Sequence, residues 1–113
     1  MELITLREDD ELTHIALSGR LDVSGVQQVE RPFAALTAAR GKPVLVDVSE
    51  VSFLASLGMR MFLSCAKTLK QHKTKMVLLN PQPLVEDALR SAGLTSVIPI
   101  EYDIDAAMGL LKG

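Results

Sequence analysis

Residues 3–8 of the chain alternate apolar and polar side chains, residues 14–19 do so again, and Asp9-Asp10-Glu11 separates the two runs. Period-two alternation on either side of a short acidic run predicts a β-hairpin. The pattern then changes. Val26, Val29, Phe33 and Leu36 recur at helical spacing, with Asp22 or Ser24 placed to cap that helix. Pro32 lies inside the helical pattern and predicts a kink or a restart, because proline donates no N–H to the ladder. Gly41-Lys42-Pro43 closes the segment.

Val44, Leu45, Val46 and Val48 form an apolar run without alternation, as expected of a central strand covered on both faces. A short turn follows, and an amphipathic helix opens at Ser56. On that helix Gly58, Phe62, Cys65, Ala66 and Leu69 share one face, and Arg60, Ser64, Lys67 and Gln71 share the other. Residues 75–79 read as another buried strand. Asn80-Pro81-Gln82-Pro83 opens a helix bearing Leu84, Val85, Ala88 and Leu89, and Gly93 ends it. Residues 97–100 form a last strand, and Asp103 caps a terminal helix with Ile104, Ala107, Met108 and Leu111. The order β-β-α-β-α-β-α-β-α specifies an α/β fold. Its sheet is mixed and mostly parallel, with an antiparallel N-terminal edge hairpin and about four helices. Residues 1–113 make one domain.

Composition narrows the function more than the fold. A net charge of −2 gives no electrostatic footprint for nucleic acid, and three Phe, one Tyr and no Trp make no base-stacking platform. The start, MELITLREDD, lacks the basic and apolar regions of a signal peptide, and no apolar stretch reaches the ~18 residues that span a bilayer. A cytoplasmic protein without direct membrane insertion is expected. The single cysteine, Cys65, falls on the apolar face of its helix and reads as a buried thiol.

Neither histidine has catalytic or metal-ligand company. His14 sits in a strand, and His72 sits at a helix end, where the dipole favours a cation. The carboxylate pairs Asp9-Asp10-Glu11, Glu86-Asp87 and Asp103/Asp105 fit turns, caps and exposed faces. No catalytic residue, metal ligand or cofactor site is expected, and the chain does not read as an enzyme. Ser56 is the remaining candidate. At a helix start its hydroxyl can accept a backbone N–H as a cap, and a phosphate on it would face the positive end of the helix dipole. Leu57 falls on the polar side of the helix beside Ser56, with Met59 and Leu63 at the margin of the apolar stripe. Together they read as a small docking patch.

The segment Phe53-Leu54-Ala55-Ser56-Leu57-Gly58-Met59 resembles the phosphorylation segment of bacterial anti-sigma factor antagonists, the single-domain members of the STAS family. That segment typically reads Phe-Met-Asp-Ser-Ser/Thr-Gly-Leu, with its first serine phosphorylated, and the matching serine is Ser56. Ser18-Gly19-Arg20-Leu21-Asp22 is similar to the family's Gly-Glu-Leu-Asp loop, and the element order resembles the STAS fold along the whole chain. The resemblance implies a partner surface formed by Asp22, Ser24, Ala55, Ser56, Leu57, Gly58 and Met59. It also implies partner switching. The unphosphorylated form binds an anti-sigma factor that is a serine kinase, phosphorylation at Ser56 abolishes binding, and a PP2C-type phosphatase restores it. Ala55 replaces the family's Asp and Leu57 its second Ser/Thr, departures that bear on the phosphorylation cycle. A different class also fits the resemblance: a STAS regulatory or structural subunit of a lipid-exporting ABC-type membrane transporter, in which Ser56 is only a cap.

Overall fold

The computed structural model describes residues 1–112. Strand β1 (Glu2–Glu8) turns back into β2 (Thr13–Leu21), followed by α1 (Val23–Leu36), β3 (Val44–Leu54), α2 (Ser56–Gln71) and β4 (Met76–Leu79). Helix α3 (Pro83–Ser91), a single 3-10 turn (Leu94–Ser96), β5 (Ile100–Glu101) and α4 (Ile104–Lys112) complete the chain. The strands lie in the order β1-β2-β3-β4-β5; the β1–β2 pair is antiparallel and the other pairs are parallel. This is the mixed sheet with an antiparallel edge hairpin that the hydrophobic pattern specified.

Alternate residues of the central strands face two separate cores. Ile15, Leu17, Val44, Val46 and Leu78 meet Val26, Val29 and Phe33 of α1, Phe62 and Leu69 of α2, and Val85 and Leu89 of α3. Leu45, Val77 and Leu79 face the other way and are covered by Ala107 and Leu111 of α4. The continuous apolar run in β3 follows from this two-sided burial. Phe33 and Phe62 lock α1 to α2 edge-to-face, with ring centroids 5.6 Å apart.

Several elements differ from the sequence expectation. Helix α1 passes Pro32 without restarting, because Pro32 and Gln28, whose carbonyl loses its donor, both sit on the exposed side. It ends at Leu36, short of Gly41-Lys42-Pro43, where Thr37 Oγ1 donates to the Phe33 carbonyl at 2.8 Å. Strand β3 does not turn after Val48 but runs on to Leu54, paired with β2 alone beyond Asp47. Strand β5 shrinks to two residues, since the 3-10 turn occupies Leu94–Ser96 and leaves Val97 exposed. Leu84 and Ile104, expected on apolar faces, are 66% and 48% exposed.

Candidate functional site

The long extension of β3 beside β2 sets the geometry. Both strands run to the same end of the sheet, where Arg20 is in register with Phe53 and Leu21 with Leu54. Each then feeds a helix directly, β2 into α1 through Asp22 and β3 into α2 through Ala55. The Ala55 N–H donates to the Leu21 carbonyl at 3.0 Å, tying the two junctions together. The C-terminal ends of parallel strands, with two helix N-termini above them, form a recurrent ligand- and partner-facing end of α/β sheets.

Two glycines allow this closeness, each the third residue of its helix. A Cβ on Gly25 would stand 1.9 Å from the Arg20 carbonyl oxygen, and one on Gly58 would stand 2.7 Å from Leu54 Cδ1 and 3.1 Å from Leu21 Cβ. Gly58 is buried, so within the segment assigned to the partner surface it acts by letting α2 sit down on β2 and β3 and offers little surface of its own.

The two helix starts are chemically unlike. Asp22 is the N-cap of α1, and its Oδ1 accepts the Gly25 N–H at 2.8 Å. That backbone donor is the main reason the Asp22 carboxyl titrates below its ordinary range, with Arg20 adding to the effect. Ser24, the other candidate cap, lies exposed inside α1. Arg20 reaches Asp22 with Nε to Oδ2 at 3.5 Å, and its guanidinium lies 4.4 Å from the Phe53 ring centroid.

At α2 the N-cap is Ala55, in extended conformation with φ −92° and ψ 172°, and its methyl group accepts nothing. The capping role expected of Ser56 therefore falls one residue too late. Ser56 is the first helical residue, exposed, and its hydroxyl makes no hydrogen bond among the described residues. The first helical bond runs from the Met59 N–H to the Ala55 carbonyl at 3.1 Å, so the N–H groups of residues 56–58 precede any helical acceptor. The first turn of α2 holds no acidic side chain.

Leu57 and Met59 are half-buried and pack against the main core; this agrees with Met59's place at the margin of the apolar stripe, whereas Leu57 does not project freely as its place on the polar side suggests. Leu57 faces a groove between α1 and α2, which Val23, Gln27, Glu30, Arg60 and Ser64 also line. Val23 falls outside the apolar periodicity of α1, and the periodicity of α2 assigns Arg60 only to the face opposite Phe62 and Leu69. Val23 is 54% exposed in the first turn of α1, and its place directly after the capping Asp22 was the available signal.

The remaining reactive groups lie elsewhere. Cys65 is buried beneath α1, and burial pushes its thiol pKa up. His14 is half-buried in β2, where burial lowers its pKa. No group of three or more His, Cys, Asp or Glu side chains is arranged to hold a metal ion among the described residues. No helix of the described residues is long and apolar enough to cross a membrane.

Residues 4–107 match the STAS domain. Over 109 residues the chain is 26% identical to BtrV of Bordetella bronchiseptica, named as a candidate anti-sigma factor antagonist; the match covers 96% of this chain and 94% of that protein. The crystal structure of an anti-sigma factor antagonist from Mycobacterium paratuberculosis superposes with a TM-score of 0.84 at 21% identity, over 99% of this chain and 96% of the other. The phosphorylated form of the Bacillus cell-fate determinant SpoIIAA superposes with a TM-score of 0.69 at 21% identity, over 93% and 96% of the two chains.

Proposed function

The chain belongs to the STAS domain family, and from that premise we propose that it is an anti-sigma factor antagonist that acts by partner switching. The unphosphorylated protein binds an anti-sigma factor that is also a serine kinase. The kinase transfers the γ-phosphoryl group of ATP to Ser56 Oγ as the β,γ P–O bond breaks, ADP and the hydroxyl proton leave, and the phosphoprotein is released. Hydrolysis by a PP2C-type phosphatase restores the binding form. The protein itself is a cytoplasmic binder that carries out no chemistry.

One observation carries this reading: Ser56 lies exposed in the first turn of α2, beside the Arg20–Asp22 junction, and its segment resembles the family's phosphorylation segment. The neighbours on the binding face are Asp22, Ser24, Ala55, Leu57 and Met59. A phosphate adds about −1.5 to −2 charges at neutral pH. Losing its water on docking against the half-buried Leu57 and Met59 costs binding free energy. An uncompensated ~3–4 kcal/mol weakens affinity several-hundred-fold. The domain stays folded throughout, because the modified atom points to solvent.

The test is mass spectrometry of the protein after incubation with the cognate kinase and ATP, followed by calorimetry with that kinase. Phosphate on Ser56 and loss of binding on true phosphoserine support the reading. Phosphate on Ser24, Ser49, Ser52 or Thr68, with Ser56→Ala still fully modified, overturns it. Equal affinity of the phosphorylated and unmodified proteins abolishes the switch and moves the transporter-subunit reading to the front.

A further inference from the structure

Granting the phosphorylation proposed above, the arrangement of α2 names the group that receives the phosphate within the protein itself. We infer that Arg60 is the internal cation for a phosphate on Ser56, forming a phosphoserine–arginine pair one helical turn apart. Ser56 and Arg60 are both exposed and stand four residues apart in α2. That spacing puts their Cβ atoms about 6 Å apart on one side of the helix. A long helical side chain leans back over the turn N-terminal to its own Cα, which here is the turn that holds Ser56. An anion N-terminal to its cation is also the favoured orientation of an i,i+4 pair.

Arg60 is free for this role. Arg7, Arg20, Arg40 and Arg90 each lie within 4 Å of a carboxylate, whereas Arg60, like Arg31 on the exposed side of α1, has no ion pair and no hydrogen bond among the described residues. Arg20, the other arginine at this end of the sheet, is committed to Asp22 at 3.5 Å and to the Phe53 ring at 4.4 Å. Glu30 lines the same groove as Arg60 but makes no salt bridge with it. The first turn of α2 offers no acidic competitor, and Ala55 offers no cap. A guanidinium presents two parallel N–H donors to phosphate oxygens, so the pair gains geometry as well as charge. Phosphorylation then changes two features at once: an anion is added, and the one unpaired arginine of the groove is drawn back onto its own helix.

The experiment installs phosphoserine at position 56 of the full chain by genetic encoding and follows its 31P resonance through a pH titration. A nearby cation favours the phosphate dianion, so removing the cation delays the second ionisation to higher pH. Arg60→Gln is expected to raise the titration midpoint by about 0.3–0.7 of a pH unit at low salt, as for an exposed ion pair. The difference should collapse in 1 M salt, where the Debye length is about 3 Å. Arg20→Gln should leave the midpoint unchanged. Coincident titrations of wild type and Arg60→Gln at low salt overturn the inference, and so does a shift produced by Arg20→Gln instead. Because the phosphate is installed directly, this outcome does not depend on the kinase. A kinase that ignores Ser56 defeats the proposed function and leaves the titration standing.

Discussion

Helices α1 and α2 start side by side at the same end of the sheet, each from a parallel strand and each with glycine as its third residue. Their first helical bonds are equivalent, Val26 N–H to Asp22 carbonyl at 2.9 Å and Met59 N–H to Ala55 carbonyl at 3.1 Å. At α1 the Asp22 carboxylate occupies the positive end of the helix and satisfies the Gly25 N–H. At α2 the equivalent residue is alanine, and the first turn is left open around an exposed serine. The backbone thus builds two similar anion-favouring ends, and the side chains fill only one. Each first turn carries an exposed serine, Ser24 in α1 and Ser56 in α2, and only Ser56 stands at an end without a capping carboxylate. An acid at residue 55 would cap α2 but would also repel a phosphate on its neighbour, so on the proposed function its absence exchanges helix stability for tolerance of a phosphate at Ser56.

The largest effects should come from the two glycines, because they control whether the starts can lie together at all. Gly25→Ala places its Cβ against backbone that cannot move away, the Arg20 carbonyl oxygen at 1.9 Å. A loss of about 3 kcal/mol or more in urea unfolding is expected, even after alanine's helix-propensity gain of up to ~1 kcal/mol. Gly58→Ala meets the Leu54 Cδ1 first, the end of a flexible side chain, and should cost about 1–3 kcal/mol. The reverse ranking would mean that the α2 junction, not the α1 junction, is the rigid one.

Exchanging the caps should shift stability in opposite directions. Asp22→Ala removes the bond to the Gly25 N–H, and the melting temperature should fall by roughly 3–8 °C. Ala55→Asp supplies the missing acceptor to α2 and should raise it by roughly 2–6 °C, an advantage that phosphoserine at position 56 would reduce. Acid gives the same comparison another reading. The Asp22 carboxyl titrates below its ordinary range in the folded protein, so the unfolded chain takes up its proton first as pH falls. Its stabilising contribution is therefore complete above the ordinary carboxylate pKa and disappears as pH falls through the folded value. The melting temperatures of wild type and Asp22→Ala should converge in that acid window. A constant gap down to strongly acidic pH would show that Asp22 acts through packing. Asp9, held low chiefly by its hydrogen bond from Arg7, titrates alike in both proteins and cancels from the difference.

Element order was legible in the sequence because each period reports which face is buried, and the two-sided burial of β3 was legible in Leu45 standing between Val44 and Val46, which face the opposite core. The full length of β3 was not. The apolar run ends at Val48 and a short turn is expected after it, yet beyond Asp47 the strand continues with a single strand neighbour and carries polar residues on its open side. The last strand was misplaced because Val97 and Ile98 look like strand residues, whereas pairing with β4 begins only at Ile100. At the candidate site, Asp22 as a cap and Ser56 as an exposed helix-start residue were readable from spacing. The half-burial of Leu57 was not, because it depends on α1 lying alongside, a long-range contact that a single helical wheel does not contain. The cap of α2 was misassigned by one residue for a local reason. Serine is a favoured N-cap and alanine a poor one, yet the extended backbone falls on Ala55.

That one-residue offset makes the smallest of the expected effects a decisive one. Were Ser56 the cap, Ser56→Ala would cost about 0.5–2 kcal/mol, as cap removals do. As the first helical residue, exposed and without a hydrogen bond from its hydroxyl, it has little to lose. Alanine is also the better helix former by up to ~0.5 kcal/mol. Urea unfolding of Ser56→Ala should therefore fall within about 0.5 kcal/mol of wild type at an unchanged denaturant slope. A loss above ~1 kcal/mol would return the hydroxyl to capping duty, and the contrast between a filled and an open helix start would be gone. A near-zero change does more than preserve it. The same variant is the natural non-phosphorylatable form for binding measurements, and with its stability intact, any change in its affinity for a partner belongs to the missing hydroxyl rather than to a loosened helix.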